Sequence, residues 1–114
     1  MNWIFVCIQD NKVIGHALGY ELTNIYNLGG NKLYIHSFGV LPQYRRQGVG
    51  TGILTGIKEM CKLLGIYKFF LFTEKSKFAA CRMYEKSGGK SNINFENDDD
   101  CNIVYTFNPL EQHP

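Results

Sequence analysis

The N-terminal part of the chain alternates between apolar and polar positions in the manner of β-strands. Trp3 to Ile8 is rich in aromatic and β-branched residues, Asp10-Asn11-Lys12 supplies turn chemistry, and Val13 to Leu22 continues as a second extended segment. A second turn over Asn27 to Asn31 leads to a third strand, Leu33 to Leu41, which a proline stops. This order predicts a sheet that begins as an antiparallel meander.

A helical period replaces this alternation from Val49 onward. Apolar residues recur at intervals of three and four as far as Leu64, and Gly65 stands where a C′ glycine ends a helix. The stripe predicts a helix of about four turns. Gly52 and Gly56 weaken that helix, so we expect them to permit close packing or close approach of a ligand, with packing favoured for Gly56.

Strand and helix signals then alternate to the end of the chain. Ile66 to Thr73 has strand character, and Phe78 to Ser87 is predicted as a helix with Ser76 as its N-cap and a glycine pair as its stop. Asn92 to Asn102 is a polar loop, and Ile103 to Phe107 is a last strand. The pattern predicts one α/β (α+β) domain over residues 1–114 with two main helices.

Composition agrees with a single compact domain and indicates in which cellular compartment the protein acts. The chain has 114 residues, 45% apolar and 19% charged, which is enough to bury a core without disulfides or metal. Its longest apolar stretches fall short of the ~20 residues that a membrane helix needs, and no basic segment precedes the first of them. We therefore expect a cytoplasmic protein with no membrane partner.

The four cysteines do not form a metal-binding or redox pattern. Cys7, Cys61, Cys81 and Cys101 lie 54, 20 and 20 residues apart, with no CxxC pair among them. We interpret them as reduced thiols that pack as small apolar side chains, and we expect no metal site.

Charge is concentrated in the middle of the chain. The net charge is only +2, but residues 45–90 carry ten basic and three acidic side chains, whereas residues 91–114 carry five acidic ones. A basic segment of this kind suits an anionic partner, although lysines that are simply solvated would give the same count. A nucleic-acid partner is disfavoured because the segment contains no nucleic-acid motif.

The basic segment opens with a glycine-rich run at the boundary between a predicted strand and a predicted helix. Arg45-Arg46-Gln47-Gly48-Val49-Gly50 occupies this boundary. The first backbone N–H groups of a helix have no intrahelical partner and lie at the positive end of its dipole, so glycines that let a ligand approach create a phosphate cradle. Other phosphate loops fit poorly, since a dinucleotide fingerprint requires glycine where Ile53 stands and a P-loop requires glycine where Tyr84 stands.

Two motifs in this chain resemble those of one known family. The run from Phe38 to Gly50 resembles the acetyl-CoA motif of the GNAT N-acetyltransferase superfamily, a hydrophobic-x-Val-x-Pro-x-x-Arg-x-x-Gly-x-Gly pattern. A second match follows at the spacing of that family's later helix, carried by Ala80, Met83, Tyr84 and Gly88. The resemblance implies a GNAT-like fold with a mixed, mostly antiparallel sheet, here shortened at its N-terminus, and acetyl-CoA as co-substrate.

The resemblance also implies which residues bind acetyl-CoA. The backbone at Phe38 and Val40 would pair with the pantetheine arm, and Ser76 is expected either to contact that arm or only to cap its helix. The pyrophosphate would be held by the loop and the helix start, through these residues: Arg45, Arg46, Gln47, Gly48, Val49, Gly50 and Thr51. Valine at Gly48 or Gly50 is therefore expected to abolish binding.

Tyr84 is the candidate catalytic acid. Relatives carry a tyrosine at this position, and the resemblance implies that it protonates the departing CoA thiolate. A phenol with a pKa of about 10 stays protonated at neutral pH and can donate to a thiolate, whose thiol titrates near about 8.5. The alternative is that Tyr84 is an aromatic residue of the core.

No acidic residue occupies the positions where relatives place a general base, which in this chain are Tyr34 and Ser37. Strand periodicity predicts that four residues share one face: Tyr34, His36, Phe38 and Val40. A histidine can take a proton from an ammonium group near neutral pH, so His36 is the candidate base. Glu21 is a comparable alternative, and a hydrogen-bonded structural histidine is the plain interpretation.

The start of the chain differs from the family pattern. Members usually begin with a strand and one or two helices that precede the hairpin and wall one side of the acceptor site, so we expect a homodimer that supplies this wall, an open acceptor cleft, or a truncated member. We interpret the chain as an acetyl-CoA-dependent N-acetyltransferase that acts by direct transfer on a small-molecule or protein amine. The alternative is a non-catalytic CoA-binding or protein-interaction module.

Overall fold

The described part of the chain forms one sheet with two α-helices packed on it. The structure, a computed structural model, describes residues 1–23, 30–91 and 102–110. Within these ranges the elements are β1 Asn2–Gln9, β2 Lys12–Leu22, β3 Lys32–Val40, a 3₁₀ turn Pro42–Tyr44, α1 Val49–Leu64, β4 Lys68–Glu74, α2 Phe78–Lys86, β5 Lys90–Ser91 and β6 Asn102–Phe107. The strands lie in the order β1-β2-β3-β4-β6-β5. None of the helices within these ranges is long and apolar enough to cross a membrane.

The first three strands form the predicted antiparallel meander. β1 joins β2 through Asp10 and Asn11, whose positive φ angles of 51° and 59° give a two-residue turn that matches the twist of the strands. β3 then pairs antiparallel with β2. The prediction of a hairpin followed by a third strand is confirmed.

α1 carries the chain from β3 to the parallel strand β4. The helix begins at Val49 and ends before Gly65, whose φ of 70° makes it the left-handed C-terminal cap that the sequence predicts. β4 pairs parallel with β3 on one side and antiparallel with β6 on the other. The sheet is therefore mixed and mostly antiparallel, as expected.

Both helices cover the same face of the sheet. Apolar side chains of α1 and α2 share one buried cluster with alternate residues of β3, β4 and β6, including Leu33, Phe69 and Phe107. The opposite face is termed the open face. It carries Ile4 and Ile8, which are 72% and 62% exposed and alternate along β1 with residues that pack against the core.

A β-bulge interrupts the register between β2 and β3. Leu18 pairs with Ser37, but its neighbour Gly19 pairs with Ile35, so His36 is the extra residue. An extra residue shifts the alternation of faces by one position and increases the local twist. The apolar pattern of the strand does not mark where this happens.

The bulge makes one prediction about β3 wrong. Tyr34 and His36 contact each other on the open face, with 6.2 Å between ring centroids. Phe38 turns to the covered face, where it contacts Tyr84 of α2, and Val40 lies on the same side as Phe38. The four residues therefore do not share one face, because the extra residue reverses the alternation between them.

The start of α2 also differs from the prediction. Lys77, not Ser76, is the N-cap, and no side chain of the described residues caps this helix. The Lys77 N–H donates to the carbonyl of Glu74 at 3.1 Å, so a tight turn ends at Lys77 and the helix begins only after it. The Ser76 hydroxyl lies instead 3.4 Å from a carboxylate oxygen of Glu74.

Other boundaries shift slightly or cannot be compared. β3 ends at Val40 and α2 at Lys86, each one residue before the predicted end. The sequence does not predict β5, because a strand of two residues shows no periodicity. Residues 24–29 and 92–101 lie outside the described residues, and they include most of the second turn and of the polar loop. Cys101 lies there too, whereas the other three cysteines are described and are free.

Candidate active site

β3 and β4 separate from each other partway along their length. They pair only over Lys32–Ile35 and Lys68–Leu71, yet β3 continues to Val40 and β4 to Glu74. The separation begins at the bulge, where the added twist turns β3 away from its neighbour. Within the described residues this leaves a stretch of β3 edge with no strand beside it, so an extended ligand could pair with that backbone.

The loop between β3 and α1 is held by side chains that fold back on it. Arg45 donates from Nε to the carbonyl oxygen of Val40 at 3.1 Å. Gln47 donates from Nε2 to the carbonyl oxygen of Gln43 at 3.2 Å. These contacts position a cationic side chain between the end of β3 and the start of α1.

α1 begins without a side-chain cap among the described residues. Arg46 and Gly48 have left-handed conformations, with φ of 64° and 83°, and Gly48 is the N-cap. The first turn contains no acidic residue, and it closes with a 2.9 Å hydrogen bond from the Gly52 N–H to the Gly48 carbonyl. Val49 packs against the core while Thr51 is exposed. The N–H groups that precede this bond lie at the positive end of the helix dipole, which suits a phosphate.

The glycines around this helix start play different parts. A Cβ at Gly48, Gly52 or Gly56 would meet nothing within 4 Å, so the expectation that close packing requires Gly56 is wrong. Gly50 is buried, and a Cβ there would lie 2.6 Å from the sulfur of Met83. Valine at Gly50 would therefore disrupt the packing of α1 on α2, and loss of binding in that variant would not report on the phosphate cradle alone.

Tyr84 connects α2 to β3 through the core. Its side chain is 5% exposed and contacts Phe38 edge to face, with 5.9 Å between ring centroids. Tyr105 of β6 lies on another side at 5.5 Å. Burial, and to a smaller extent Cys81, raises the pKa of Tyr84 to about 12. The phenol is thus protonated at neutral pH, as a proton donor must be, although this packing is also that of a core aromatic.

His36 belongs to a group of aromatic rings on the open face beside the separating strands. It is exposed and stacks on Tyr20, with 4.6 Å between centroids and 23° between ring planes. Tyr34 lies next to it and stacks in turn on Phe70 at 5.2 Å. Faces of aromatic rings attract cations, so this group is suited to hold a positively charged acceptor near His36.

Glu21 is held in a hydrogen-bond network away from the open face. Its carboxylate accepts from Trp3 Nε1 at 3.1 Å and from Asn31 Nδ2 at 2.7 Å. These bonds, that of Asn31 first and that of Trp3 second, lower the pKa of Glu21. A carboxylate stabilised in this way is a weak base. Because this network lies away from the open face, the structure does not bring Glu21 together with His36.

The sequence does not predict that a second histidine, His16, lies near the separating strands. His16 Nε2 lies 2.8 Å from the hydroxyl of Ser37, and the His16 ring packs against Gly39, where a Cβ would lie 3.0 Å from it. No signal in the sequence pairs these residues, because the bulge decides that Ser37 faces His16. Ser76, in contrast, is exposed, and its hydroxyl contacts the Glu74 carboxylate.

Known proteins share sequence with this chain. The model of the acetyltransferase (GNAT) family matches residues 2–89. A thialysine N-epsilon-acetyltransferase from Mus musculus is 29% identical over 72% of this chain and 47% of its own length. An N-alpha-acetyltransferase from Saccharolobus solfataricus is 32% identical over 72% of this chain and 53% of its own length. The chain thus spans about half the length of these curated relatives.

A solved structure shares the fold as well. The PaiA N-acetyltransferase from Thermoplasma acidophilum, determined in complex with coenzyme A, matches with a TM-score of 0.77 at 17% identity. The match covers 94% of this chain and 60% of that protein. At this identity the likeness concerns the fold alone.

Proposed function

The chain belongs to the acetyltransferase (GNAT) family, and from this membership we propose that it transfers an acetyl group directly from acetyl-CoA to an amine. The proposal is carried by the stretch of β3 edge that has no described strand beside it and by the start of α1, which no described side chain caps. The strand edge suits an extended pantetheine arm, and the helix start suits a pyrophosphate.

The residues that would hold acetyl-CoA follow one another along this path. The backbone of Phe38 and Val40 would bind the pantetheine arm, and the backbone N–H groups from Gly48 to Thr51 would bind the pyrophosphate. Arg45 and Arg46 add positive charge at the same place. The open space beside the first turn supports this assignment, because no side chain of the described residues fills it.

The proposed transfer needs a base, a hydrogen-bond donor and an acid. When bound, acetyl-CoA supplies an acyl carbon that carries a thiolate leaving group. His36 would take a proton from the acceptor ammonium, directly or through water, and free the nitrogen lone pair to attack. A β3 amide near Val40 would donate to the carbonyl oxygen. As the C–N bond forms and the C–S bond breaks, Tyr84 would protonate the sulfur and the nitrogen would lose its second proton to solvent.

The acceptor in this proposal is a small-molecule or protein amine. The names of both curated relatives refer to acetylation of an amino nitrogen. The stacked rings of Tyr20, Tyr34 and Phe70 beside His36 offer an ammonium group a favourable surface. The cytoplasmic location stays a prediction.

Binding and turnover are separate measurements that test the proposal. We expect calorimetry to detect acetyl-CoA binding and a thiol-release assay with a panel of amines to detect transfer. Binding without thiol release for any amine would favour the non-catalytic CoA-binding module. Failure of the folded chain to bind acetyl-CoA would overturn both functions.

A further inference from the structure

Four lysines surround a cavity between the two helices and the last strands. They are Lys58 and Lys62 of α1, Lys86 at the end of α2, and Lys90 of β5. The cavity, termed the lysine pocket, has a volume of about 310 Å³, and Phe107 contributes to its wall. None of the described residues that line it is acidic.

The lysine pocket is separate from the proposed acetyl-CoA site. Lys58 follows the first residue of α1, Val49, by about 13 Å along the helix axis. Phe107 pairs with Phe69 near the start of β4, whereas β4 separates from β3 after Leu71. The lysine pocket and the phosphate cradle therefore lie toward opposite ends of the sheet.

Lys58 is held in the pocket by specific contacts. Its ammonium donates to the carbonyl oxygen of Ser87, at the end of α2, and lies 5.9 Å from the centroid of the Phe107 ring. Burial, and then the charge of Lys62, lowers the pKa of Lys58. An anion in the pocket would offset both effects, because it would bring opposite charge to a partly desolvated ammonium group.

Carboxylates of the neighbouring elements do not neutralise this group of lysines. Glu59 lies 4.0 Å from Lys62, but the two side chains are 66% and 53% exposed, so the pair is weak. Glu85 of α2 accepts a hydrogen bond from Tyr105 at 3.0 Å and does not line the pocket. Among the described residues, only the weak Glu59 pair offsets the positive charge of the pocket.

We propose that the lysine pocket binds a compact ligand that carries at least two phosphate groups. Four lysines that line one cavity suit a multiply charged anion, and each contact would be a charge-assisted hydrogen bond. The volume is at the lower end of the range for ligand pockets, which favours a small molecule over a nucleic acid or a protein segment. This site accounts for part of the basic character of residues 45–90 that the acetyl-CoA path does not use.

Calorimetric titration of the full chain with inorganic pyrophosphate tests this proposal, at one fixed ionic strength and with excess coenzyme A present to occupy the phosphate cradle. Each lost charge-assisted contact is expected to cost about tenfold in affinity, so Lys86→Gln with Lys90→Gln should weaken binding about 100-fold. The matched control is Lys12→Gln with Lys32→Gln, which removes the same charge from strands outside the pocket. The control should bind pyrophosphate like the unmodified chain.

The outcomes distinguish this site from the phosphate cradle. The pocket variant should bind pyrophosphate about 100-fold more weakly and keep its affinity for acetyl-CoA, whether or not acetyl transfer is detected. Unchanged pyrophosphate affinity in the pocket variant, or equal losses in the pocket and control variants, would overturn the proposal. So would an oligonucleotide that binds more tightly than pyrophosphate and depends on the same lysines, since the pocket would then belong to a nucleic-acid surface.

Discussion

The candidate residues near the separated strands differ in their burial and in the contacts that they already make. The Glu21 carboxylate accepts hydrogen bonds from Trp3 and Asn31, and its lowered pKa follows from those bonds. His36 is exposed among aromatic rings, so it can meet an acceptor. Tyr84 lies in the core, with its proton retained because burial disfavours the phenolate. The hypotheses for base and acid therefore rest on His36 and Tyr84.

Tyr84→Phe tests the acid directly. The change removes only the hydroxyl and keeps the ring contacts with Phe38 and Tyr105. If Tyr84 donates a proton to the leaving sulfur, turnover should fall by about 100-fold or more while acetyl-CoA affinity and the thermal midpoint change little. Thiol release measures the first, and calorimetry and thermal unfolding measure the others.

Tyr105→Phe is the matched control for this experiment. Tyr105 is also buried, and its hydroxyl donates to Glu85 at 3.0 Å. Losing that hydrogen bond should cost about 1 kcal/mol of unfolding free energy and leave turnover unchanged. If Tyr84→Phe instead loses stability and keeps its rate, Tyr84 is a core aromatic and takes no part in the chemistry.

At the scale of elements, the two sides of α1 differ in what they contribute to stability. Its apolar stripe packs on the sheet, while its exposed side carries glycines that weaken the helix. Gly52 lies one turn from the N-cap and Gly56 lies one turn further, and a side chain at either position would meet open space. A comparison of substitutions at Gly52 and Gly56 therefore distinguishes the role of a glycine in ligand approach from its effect on helix stability.

We expect Gly52→Ala and Gly56→Ala to stabilise the protein by roughly 1 kcal/mol each, because alanine is the better helix former. Only Gly52→Ala should weaken acetyl-CoA binding, by about tenfold, since its methyl group stands where the pyrophosphate would approach the first turn. Thermal unfolding and calorimetry on both variants measure these effects. Equal acetyl-CoA affinity in the two variants would show that the ligand does not approach this side of α1.

At the scale of the whole molecule, the two faces of the sheet are unequal. Both helices pack on one face, whereas the open face exposes apolar side chains along β1, which is also an edge strand. Val6, for instance, is 48% exposed. Edges and apolar patches of this kind favour pairing with another chain.

We therefore predict that the protein forms a symmetric dimer through the part of the open face that β1 forms. Light scattering should give about twice the 13.1 kDa mass of one chain. Val6→Lys should dissociate the dimer, because a charge on the open face would be buried by association. Leu63→Lys, at a residue of α1 that is 85% exposed, should leave it intact. A mass of 13.1 kDa at high micromolar concentration would contradict the prediction.

Features that depend on the local backbone could be predicted from the sequence by itself. The hairpin turn, the apolar stripe of α1 and the left-handed glycines Gly48 and Gly65 each follow from the conformations that a few neighbouring residues allow. The phosphate cradle is of the same kind, because it needs only a strand, a glycine-rich loop and a helix start in that order. The sequence determined the fold class for this reason, and the place it predicts for acetyl-CoA rests on the same local signals.

Features that depend on contacts between distant segments were decided by the tertiary structure. The extra residue at His36 comes from the register of β3 against β2, and it places His16 beside Ser37. Packing of the two helices buries Gly50 under Met83. The lysine pocket likewise gathers side chains from α1, α2 and β5. Such arrangements arise from how the whole chain packs, because the free energy of a register or a helix contact is shared among residues far apart in sequence.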